Sequence, residues 1–324
     1  MRKAIKYPLI LLGIVAVLVL TLLVWLTVFM PNVGPPPDIS VSITESNVQR
    51  GRYLAHHVML CMDCHATRDW NLFAGPPKPG TEGGGGDVFN QDLGFPGRFV
   101  APNITPYALG DWTDGEIFRA LTAGVNKEGK ALFPLMPWHL YGQLSVEDIH
   151  AVIAYIRTLP PIEHDPPPSK ADFPMNLIMN TMPEKPNLQS RPTRDNIVEY
   201  GRYMATASGC VDCHTRHEKG EFVGEFFAGG MDFRLPDGSV SRSANLTPHE
   251  TGIGSWTGDQ FVERFKAYAD SVFTPHTVQP GEYQTIMPWT MYSGMKRHDL
   301  EAIYAYLRSL RPVENHVVLF DAGE

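Results

Sequence analysis

The chain has 324 residues, of which 43% are hydrophobic and 19% charged, a composition typical of a folded protein long enough for two domains. Its formal net charge of −8 argues against a nucleic-acid partner, and this acidity either keeps the protein soluble or steers it toward a basic partner. All four cysteines lie in two C-x-x-C pairs, which leaves none for a separate structural disulfide or a catalytic thiol.

An uncharged apolar segment runs from Tyr7 to Met30 and follows the basic residues Arg2, Lys3 and Lys6. A membrane-spanning helix needs about 20 such residues, whereas the apolar core of a signal peptide has about 7–15. Residues 1–30 are therefore predicted to form a cytoplasmic N-terminus and a single transmembrane anchor in the cell inner membrane. The basic residues before the span place everything after it on the periplasmic side. The alternative is a cleaved signal peptide.

Beyond this segment the chain contains an internal duplication. After a proline-rich spacer over residues 31–43, the duplication predicts two copies of one domain, residues 44–162 and 193–324, joined by a linker over residues 163–192. The motifs that recur in the same order are Gly51–Leu54 and Gly201–Met204, Cys61–His65 and Cys210–His214, Asn103–Pro106 and Asn245–Pro248, Trp112–Thr113 and Trp256–Thr257, Met136–Trp138 and Met287–Trp289, and Ala154–Arg157 and Ala305–Arg308.

The linker is rich in proline but contains apolar residues that a free tether would not carry, which predicts that it packs along both copies. These residues are Phe173, Leu177, Ile178 and Met179.

Each copy has the signals of an all-α domain. Capping boxes are predicted at Ser46 with Gln49 and at Thr113 with Glu116, and Thr257 with Gln260 repeats the second in the other copy. Apolar residues in the last helix of each copy recur at i, i+3, i+4 and i+7, the pattern of a core-facing helix. Strand-like alternation is too short to predict a sheet, and the Gly83–Gly86 run indicates a flexible loop.

Two C-x-x-C-H motifs, Cys61-x-x-Cys64-His65 and Cys210-x-x-Cys213-His214, carry the chemistry. Two thiols at this spacing add to the two vinyl groups of one haem, and the histidine that follows becomes the proximal iron ligand. The motifs therefore predict two covalently attached haem c groups. The alternatives are a zinc site, because C-x-x-C is also a zinc spacing, and a disulfide, which leaves both histidines unexplained.

The sixth iron ligand decides function, because a filled site passes electrons whereas an open one binds peroxide or gas. Met136 and Met287 lie at matching places after the two haem motifs, and each is followed by Pro-Trp. This repetition predicts that the metal ligands are His65 with Met136 and His214 with Met287. Core packing is the alternative role of each methionine.

Other candidates for the distal ligand in the first copy are less well placed. Met59 and Met62 flank the haem motif on its proximal side. His56, His57 and His139 are the histidine alternatives, and His139 is replaced by threonine in the second copy. None of them is favoured over the duplicated methionine.

Both copies resemble class I c-type cytochrome domains, and more closely the cytochrome subunits of membrane-bound alcohol, aldehyde and gluconate dehydrogenases. The resemblance rests on C-x-x-C-H, Asn-Ile-Thr-Pro, Trp-Thr-Asp-Gly-Glu, Met-Pro-Trp and the final Ala-Tyr-Ile-Arg-Thr-Leu-Pro-Pro helix, and it covers the chain from Gln49 to Val313. It implies an all-α fold around each haem, with a glycine, Gly51 or Gly201, at the crossing of the first and last helices. The chain departs from the alcohol dehydrogenase subunits, which typically have three haem motifs and lack the N-terminal anchor.

The expected function is electron relay on the outer face of the membrane, without catalysis of its own. The partners expected are the membrane and redox proteins: a dehydrogenase or quinol-oxidising complex as donor, and a terminal oxidase or soluble cytochrome as acceptor. A dihaem peroxidase would need one haem without a strong distal ligand, and a haem sensor would need an output domain. Neither feature is evident in the sequence.

Overall fold

The structure, a computed structural model, describes residues 2–218 and 220–323, and it describes side chains from Tyr7 onward. The side chains of Arg2, Lys3 and Lys6, on which the predicted orientation in the membrane depends, lie outside the described residues. The α-helices in this part of the chain are α1 (Arg2–Val24), α2 (Glu45–His57), α3 (Cys61–Cys64), α4 (Pro106–Leu109), α5 (Asp114–Ala123), α6 (Trp138–Tyr141), α7 (Val146–Arg157), α8 (Met175–Ile178), α9 (Ile197–Ala207), α10 (Cys210–His214), α11 (Gly258–Lys266), α12 (Trp289–Tyr292) and α13 (Arg297–Arg308).

The expectation of an all-α fold is wrong. In the part of the chain that the structure describes, only 38% of residues are helical, and three small antiparallel sheets are present, ordered β1-β2-β3, β4-β5 and β6-β7-β8. The strands are β1 (Val88–Phe89), β2 (Gly97–Val100), β3 (Lys170–Ala171), β4 (His217–Glu218), β5 (Glu221–Phe222), β6 (Asp232–Arg234), β7 (Val240–Arg242) and β8 (Phe320–Asp321).

These strands escape detection in the sequence for a physical reason. Each has two to four residues, too few to show the alternation of a half-buried strand. The outer strand of each three-stranded sheet also comes from a distant segment: β3 pairs with β2 at Gly97–Ala171, and β8 pairs with β7 at Ser241–Phe320. In both copies, therefore, the chain returns after its last long helix to complete a sheet, and the duplication extends beyond that helix.

One helix in the described part of the chain is long and apolar enough to cross a membrane. It covers the 23 residues Tyr7–Phe29, and its apolar stretch is not buried against the rest of the protein. The last turn, Trp25–Phe29, is π-helical.

The first and last long helices of each copy cross at a glycine, as predicted. Helix α2 packs on α7, and α9 packs on α13. A Cβ atom on Gly51 would lie 1.8 Å from the carbonyl oxygen of Ala151, and one on Gly201 would lie 1.8 Å from that of Ala302. Only glycine lets the two backbones approach this closely.

The helix-start signals are confirmed in two of three places. Thr113 and Thr257 each cap a helix and form a reciprocal capping box with the residue three positions later. The first helix instead begins two residues earlier than expected, because its N-cap is Thr44, which accepts the hydrogen bond from Asn47 N. Gln49 bonds to Glu45. Thr44 and Ser46 both have side chains that favour the N-cap position, and only one of them can occupy it.

The two copies share one hydrophobic core rather than having separate ones. A single cluster of buried side chains includes Leu54 and Ile153 from the first copy and Met204 and Ile303 from the second. The short helix after each Met-Pro pair also packs against the first helix of the other copy, α6 on α9 and α12 on α2. The copies thus face each other with approximate twofold symmetry.

Buried carboxylates reinforce this interface in a symmetric way. The Tyr53 hydroxyl donates to Asp299 Oδ2 at 2.6 Å, and the equivalent Tyr203 hydroxyl donates to Asp148 Oδ2 at 2.7 Å. Both aspartates are at most 1% exposed. Arg50 also donates twice to Asp148, at 2.9 and 2.8 Å, so that this charge is paired as well as hydrogen-bonded.

Loss of one of these hydroxyls is expected to destabilise both copies together. Tyr53→Phe and Tyr203→Phe should each lower the free energy of unfolding by about 1–3 kcal/mol, because a buried carboxylate loses a donor from the opposite copy. Denaturant unfolding should remain a single transition. The matched control is Tyr107→Phe, whose exposed bond to Asp165 should contribute within about 0.5 kcal/mol. Separate unfolding transitions for the two copies would contradict the shared core.

Candidate functional site: two duplicated C-x-x-C-H segments

Each C-x-x-C-H segment forms one short helical turn. The turn follows a residue in the left-handed conformation, Leu60 with φ 55° in the first copy and Gly209 with φ 65° in the second. None of the four cysteines forms a disulfide in the described part of the chain. Because the cysteines of a pair are three residues apart on a helical turn, their side chains project from one face of it.

The histidine of each motif is oriented by the same kind of hydrogen bond. His65 Nδ1 lies 2.8 Å from the carbonyl oxygen of Pro102, and His214 Nδ1 lies 2.8 Å from that of Ala244. A carbonyl oxygen only accepts, so Nδ1 carries the proton and Nε2 keeps its lone pair. Both rings therefore present Nε2 as a ligand, in the arrangement that metal-binding histidines use.

The electrostatic environment keeps both histidines neutral. Burial lowers the pKa of His65 and of His214, and this outweighs the opposing effect of the bond from each Nδ1 to a backbone carbonyl. A protonated imidazole cannot bind a metal, whereas a neutral one can.

The accepting carbonyls are positioned by a turn at each repeated asparagine, for which the sequence allowed either a turn or a hydrogen bond near a haem edge. Asn103 Oδ1 accepts from the backbone N and the hydroxyl of Thr105, and Asn245 bonds to Thr247 in the same way. Asn103 Nδ2 also donates to the carbonyl of Ile162. These asparagines therefore form turns that fix the preceding carbonyl. In the sequence, the residue that carries this carbonyl can be recognised because it directly precedes the repeated Asn-x-Thr-Pro motif.

The Gly83–Gly86 run, predicted to be a flexible loop, is instead held by hydrogen bonds to the backbone of His65. The carbonyl of His65 accepts from Gly83 N at 2.7 Å and from Gly85 N at 3.1 Å. Gly85 has φ 74°, and a Cβ there would lie 2.5 Å from the backbone of Ala101. Gly229 makes the equivalent bond to His214 in the second copy.

Met136 and Met287 lie in loops of the same backbone shape. Each is partly buried and packs against the hydrophobic core, directly before α6 and α12 respectively. The prolines that follow have nearly equal conformations, with φ −80° and ψ 52° at Pro137 and φ −80° and ψ 64° at Pro288. The structure thus repeats the loops as closely as the sequence does.

A pair of tyrosines, missed from the sequence, ties each methionine loop to its C-x-x-C-H segment. Tyr141 donates to the carbonyl of Met59 at 2.7 Å, and Tyr292 donates to that of Ser208 at 2.5 Å. Both accepting residues precede the first cysteine of a motif by two positions. Burial raises the pKa of both tyrosines well above its usual value, so the hydroxyls stay protonated. The pattern Met-Pro-Trp-x-x-Tyr, present in both copies, could have indicated these tyrosines from the sequence.

The alternative distal candidates have other partners. His139 Nε2 lies 3.0 Å from Asp212 Oδ2 of the second copy, and His57 Nδ1 bonds to the carbonyl of Met291 at 2.9 Å. His56 Nε2 lies 2.7 Å from the Tyr155 hydroxyl. Met59 is buried in the core. These contacts give His139 and His57 a role at the interface between the copies.

Together these observations fit a covalently bound haem in each copy. The two thiols on one helical turn and the neutral histidine with a free Nε2 are the groups that such a cofactor needs. When bound, haem supplies one-electron chemistry at iron, and the protein supplies the thioether bonds, the axial ligands and the environment.

Comparison with known proteins agrees with this assignment. Residues 198–311, almost the whole second copy, match the cytochrome c family, which implies covalently bound haem c. The chain is 28% identical over 287 residues to the cytochrome c subunit of alcohol dehydrogenase (quinone) from Gluconacetobacter polyoxogenes, covering 82% of this chain and 56% of that subunit. It is also 25% identical over 292 residues to the fructose dehydrogenase cytochrome subunit of Gluconobacter japonicus, covering 85% and 55%. The chain thus spans just over half the length of these relatives.

A third relative is nearer in size. The diheme cytochrome c-type of Cereibacter sphaeroides is 28% identical over 266 residues, which cover 78% of this chain and 83% of that protein. The resemblance to cytochrome c subunits of dehydrogenases and to a diheme cytochrome c, predicted from the motifs, is confirmed.

Proposed function

We propose that this chain is a membrane-anchored electron carrier with two haem c groups, one in each copy. His65 with Met136 and His214 with Met287 are the proposed axial ligands, and the four cysteines are the attachment points. A strong ligand on both sides closes the iron to substrates and leaves electron transfer as its reaction.

The observation that carries this proposal is the duplicated proximal hydrogen bond. His65 and His214 each donate from Nδ1 to a backbone carbonyl at 2.8 Å, which leaves Nε2 unprotonated in both copies. The same geometry in both copies supports two haems rather than one.

The shared core supports a relay between the two copies. The C-x-x-C-H segment of the second copy is in direct contact with the first copy, because Asp212 lies between its two cysteines and pairs with His139. Haems held at the two C-x-x-C-H segments would therefore be linked by packed protein, through which electrons could pass.

The relatives support the proposed donor, and the proposed acceptor is the one expected from the sequence. Because three relatives are named as subunits of alcohol, fructose and gluconate dehydrogenases, we propose a dehydrogenase as the donor. A quinol-oxidising complex is the second donor considered, and the acceptor is a terminal oxidase or a soluble cytochrome. The span Tyr7–Phe29 is the proposed anchor, with both copies on the periplasmic side.

Intact mass measurement of the matured protein tests the cofactor content. The mass should exceed that of the polypeptide by two haems, since each cysteine pair forms two thioether bonds. Replacing both cysteines of one motif by serine, at Cys61 and Cys64 or at Cys210 and Cys213, should leave one haem in either case. One haem or none on the unaltered chain would contradict the proposal.

A further inference from the structure

The apolar stretch of the linker lies beside the outer end of the membrane span. Residues 173–183 carry no charged side chain. Helix α8 (Met175–Ile178) and the 3₁₀ turn after it (Met179–Thr181) both contact the π-helical turn Trp25–Phe29 that ends the span. The linker thus meets the anchor, although about 150 residues separate them in sequence.

One hydrogen bond fixes the depth of this contact. Asn180 Nδ2 donates to the carbonyl oxygen of Leu26 at 3.1 Å. Leu26 lies three residues before the end of the span, so its carbonyl is among the last four of the helix and has no partner within it. An unpaired carbonyl at the edge of the hydrocarbon is costly, which gives the side chain of Asn180 a physical reason to be there.

The length of the span places Leu26 at the boundary between lipid tails and headgroups. A helix of 23 residues is about 35 Å long, whereas the hydrocarbon core is about 30 Å thick. Leu26 is about 5 Å from the outer end of that helix. A segment that bonds to Leu26 must therefore lie at the membrane surface whenever the helix crosses the bilayer.

The linker exposes apolar side chains at this level. Phe173 is 80% exposed and Ile178 is 43% exposed, a poor arrangement in water for side chains of this size. The headgroup–tail boundary is where aromatic and aliphatic side chains of interfacial segments are buried.

From these contacts we infer that residues 173–182 form a second membrane contact, in which Phe173 and Ile178 enter the interfacial layer of the bilayer. This inference rests on the membrane anchoring proposed above and goes beyond it. Strand β3 (Lys170–Ala171) pairs with β2 immediately before this segment. The contact therefore holds the sheet of the first copy close to the membrane, and through the shared core it sets the height of the second copy.

Variants of the full haem-loaded chain that each carry one added cysteine, reconstituted in phospholipid nanodiscs, test this contact. Phe173→Cys and Ile178→Cys are labelled with a small bimane fluorophore, and the bilayer contains lipid brominated near the top of the acyl chains. Both labels should lose at least about half of their fluorescence, because bromine quenches only labels at that depth. The unaltered chain, treated identically, corrects for any label on the four native cysteines.

Two further positions separate the linker from the anchor. Val17→Cys, in the middle of the span, reports whether the helix is in the bilayer when it is measured in lipid brominated near the ends of the acyl chains, at the depth of that residue. Val272→Cys is an exposed apolar position of the second copy (72% exposed) that neither lipid should quench. If Val17 is quenched while Phe173 and Ile178 behave like Val272, the linker contact is refuted and the anchor stands. If Val17 is also unquenched, both the anchor and the linker contact are refuted.

Discussion

Met136→Ala and Met287→Ala are each expected to open one iron to external ligands. Removal of the thioether leaves that haem with a water molecule or an empty position opposite its histidine. The altered haem should lose the methionine–iron charge-transfer band and fall in reduction potential by on the order of 0.1 V, part of the roughly 0.8 V range that axial ligands span. It should also gain reactivity toward carbon monoxide or peroxide. Absorption spectra and potentiometric titration of both variants measure these changes.

The other haem should keep its band in each variant, because each methionine loop adjoins its own C-x-x-C-H segment through Tyr141 or Tyr292. Met62→Leu is the matched control. Met62 is fully buried inside a haem motif, and this substitution conserves its volume, so both bands should persist. A variant at Met136 or Met287 with an unchanged spectrum would move the ligand of that copy to another residue.

Gly51→Ala and Gly201→Ala are expected to have the largest effect on stability. The added methyl group would lie 1.8 Å from a backbone carbonyl oxygen of the last helix, and no side-chain rotation relieves a clash with backbone. The two helices of that copy must therefore separate. We expect a loss of at least about 3 kcal/mol, the upper part of the range for overpacked cores, out of a total of about 5–15 kcal/mol.

Gly258→Ala is the control for this pair of substitutions. Gly258 begins α11 in the second copy, and a Cβ there would be 3.5 Å from the ring of Tyr304, an ordinary contact. Its free energy of unfolding should change little or rise, since alanine favours helix. Denaturant unfolding of the three variants makes the comparison. Equal stability of Gly51→Ala and Gly258→Ala would show that α2 and α7 do not cross as closely as the structure has them.

The C-x-x-C-H segments and the helix crossings could be predicted from the sequence because they lie in recognisable motifs. The resemblance to class I cytochrome domains implied a close helix contact at Gly51 and Gly201, and the structure confirms it. Local chemistry likewise predicted the caps at Thr113 and Thr257. In each case the signal lies within a few residues of the feature it predicts.

Features formed by segments that are far apart in the sequence could not be predicted in this way. The sheets depend on β3 and β8, which return from beyond the last helix of each copy and have two residues each. The shared core depends on pairs such as Tyr53 with Asp299, which are 246 positions apart. Each residue of such a pair is ordinary in its own local sequence, and only the assembled fold shows why it is buried.

In the proposed function, protein ligands close both irons, so that both serve electron transfer. The most direct test is a carbon monoxide difference spectrum of the unaltered, fully reduced protein, with Met136→Ala as the positive control. We predict no change in the Soret band of the unaltered chain, because a methionine occupies the sixth position of each iron. Binding of carbon monoxide at either haem would contradict the claim and favour a peroxidase or a sensor.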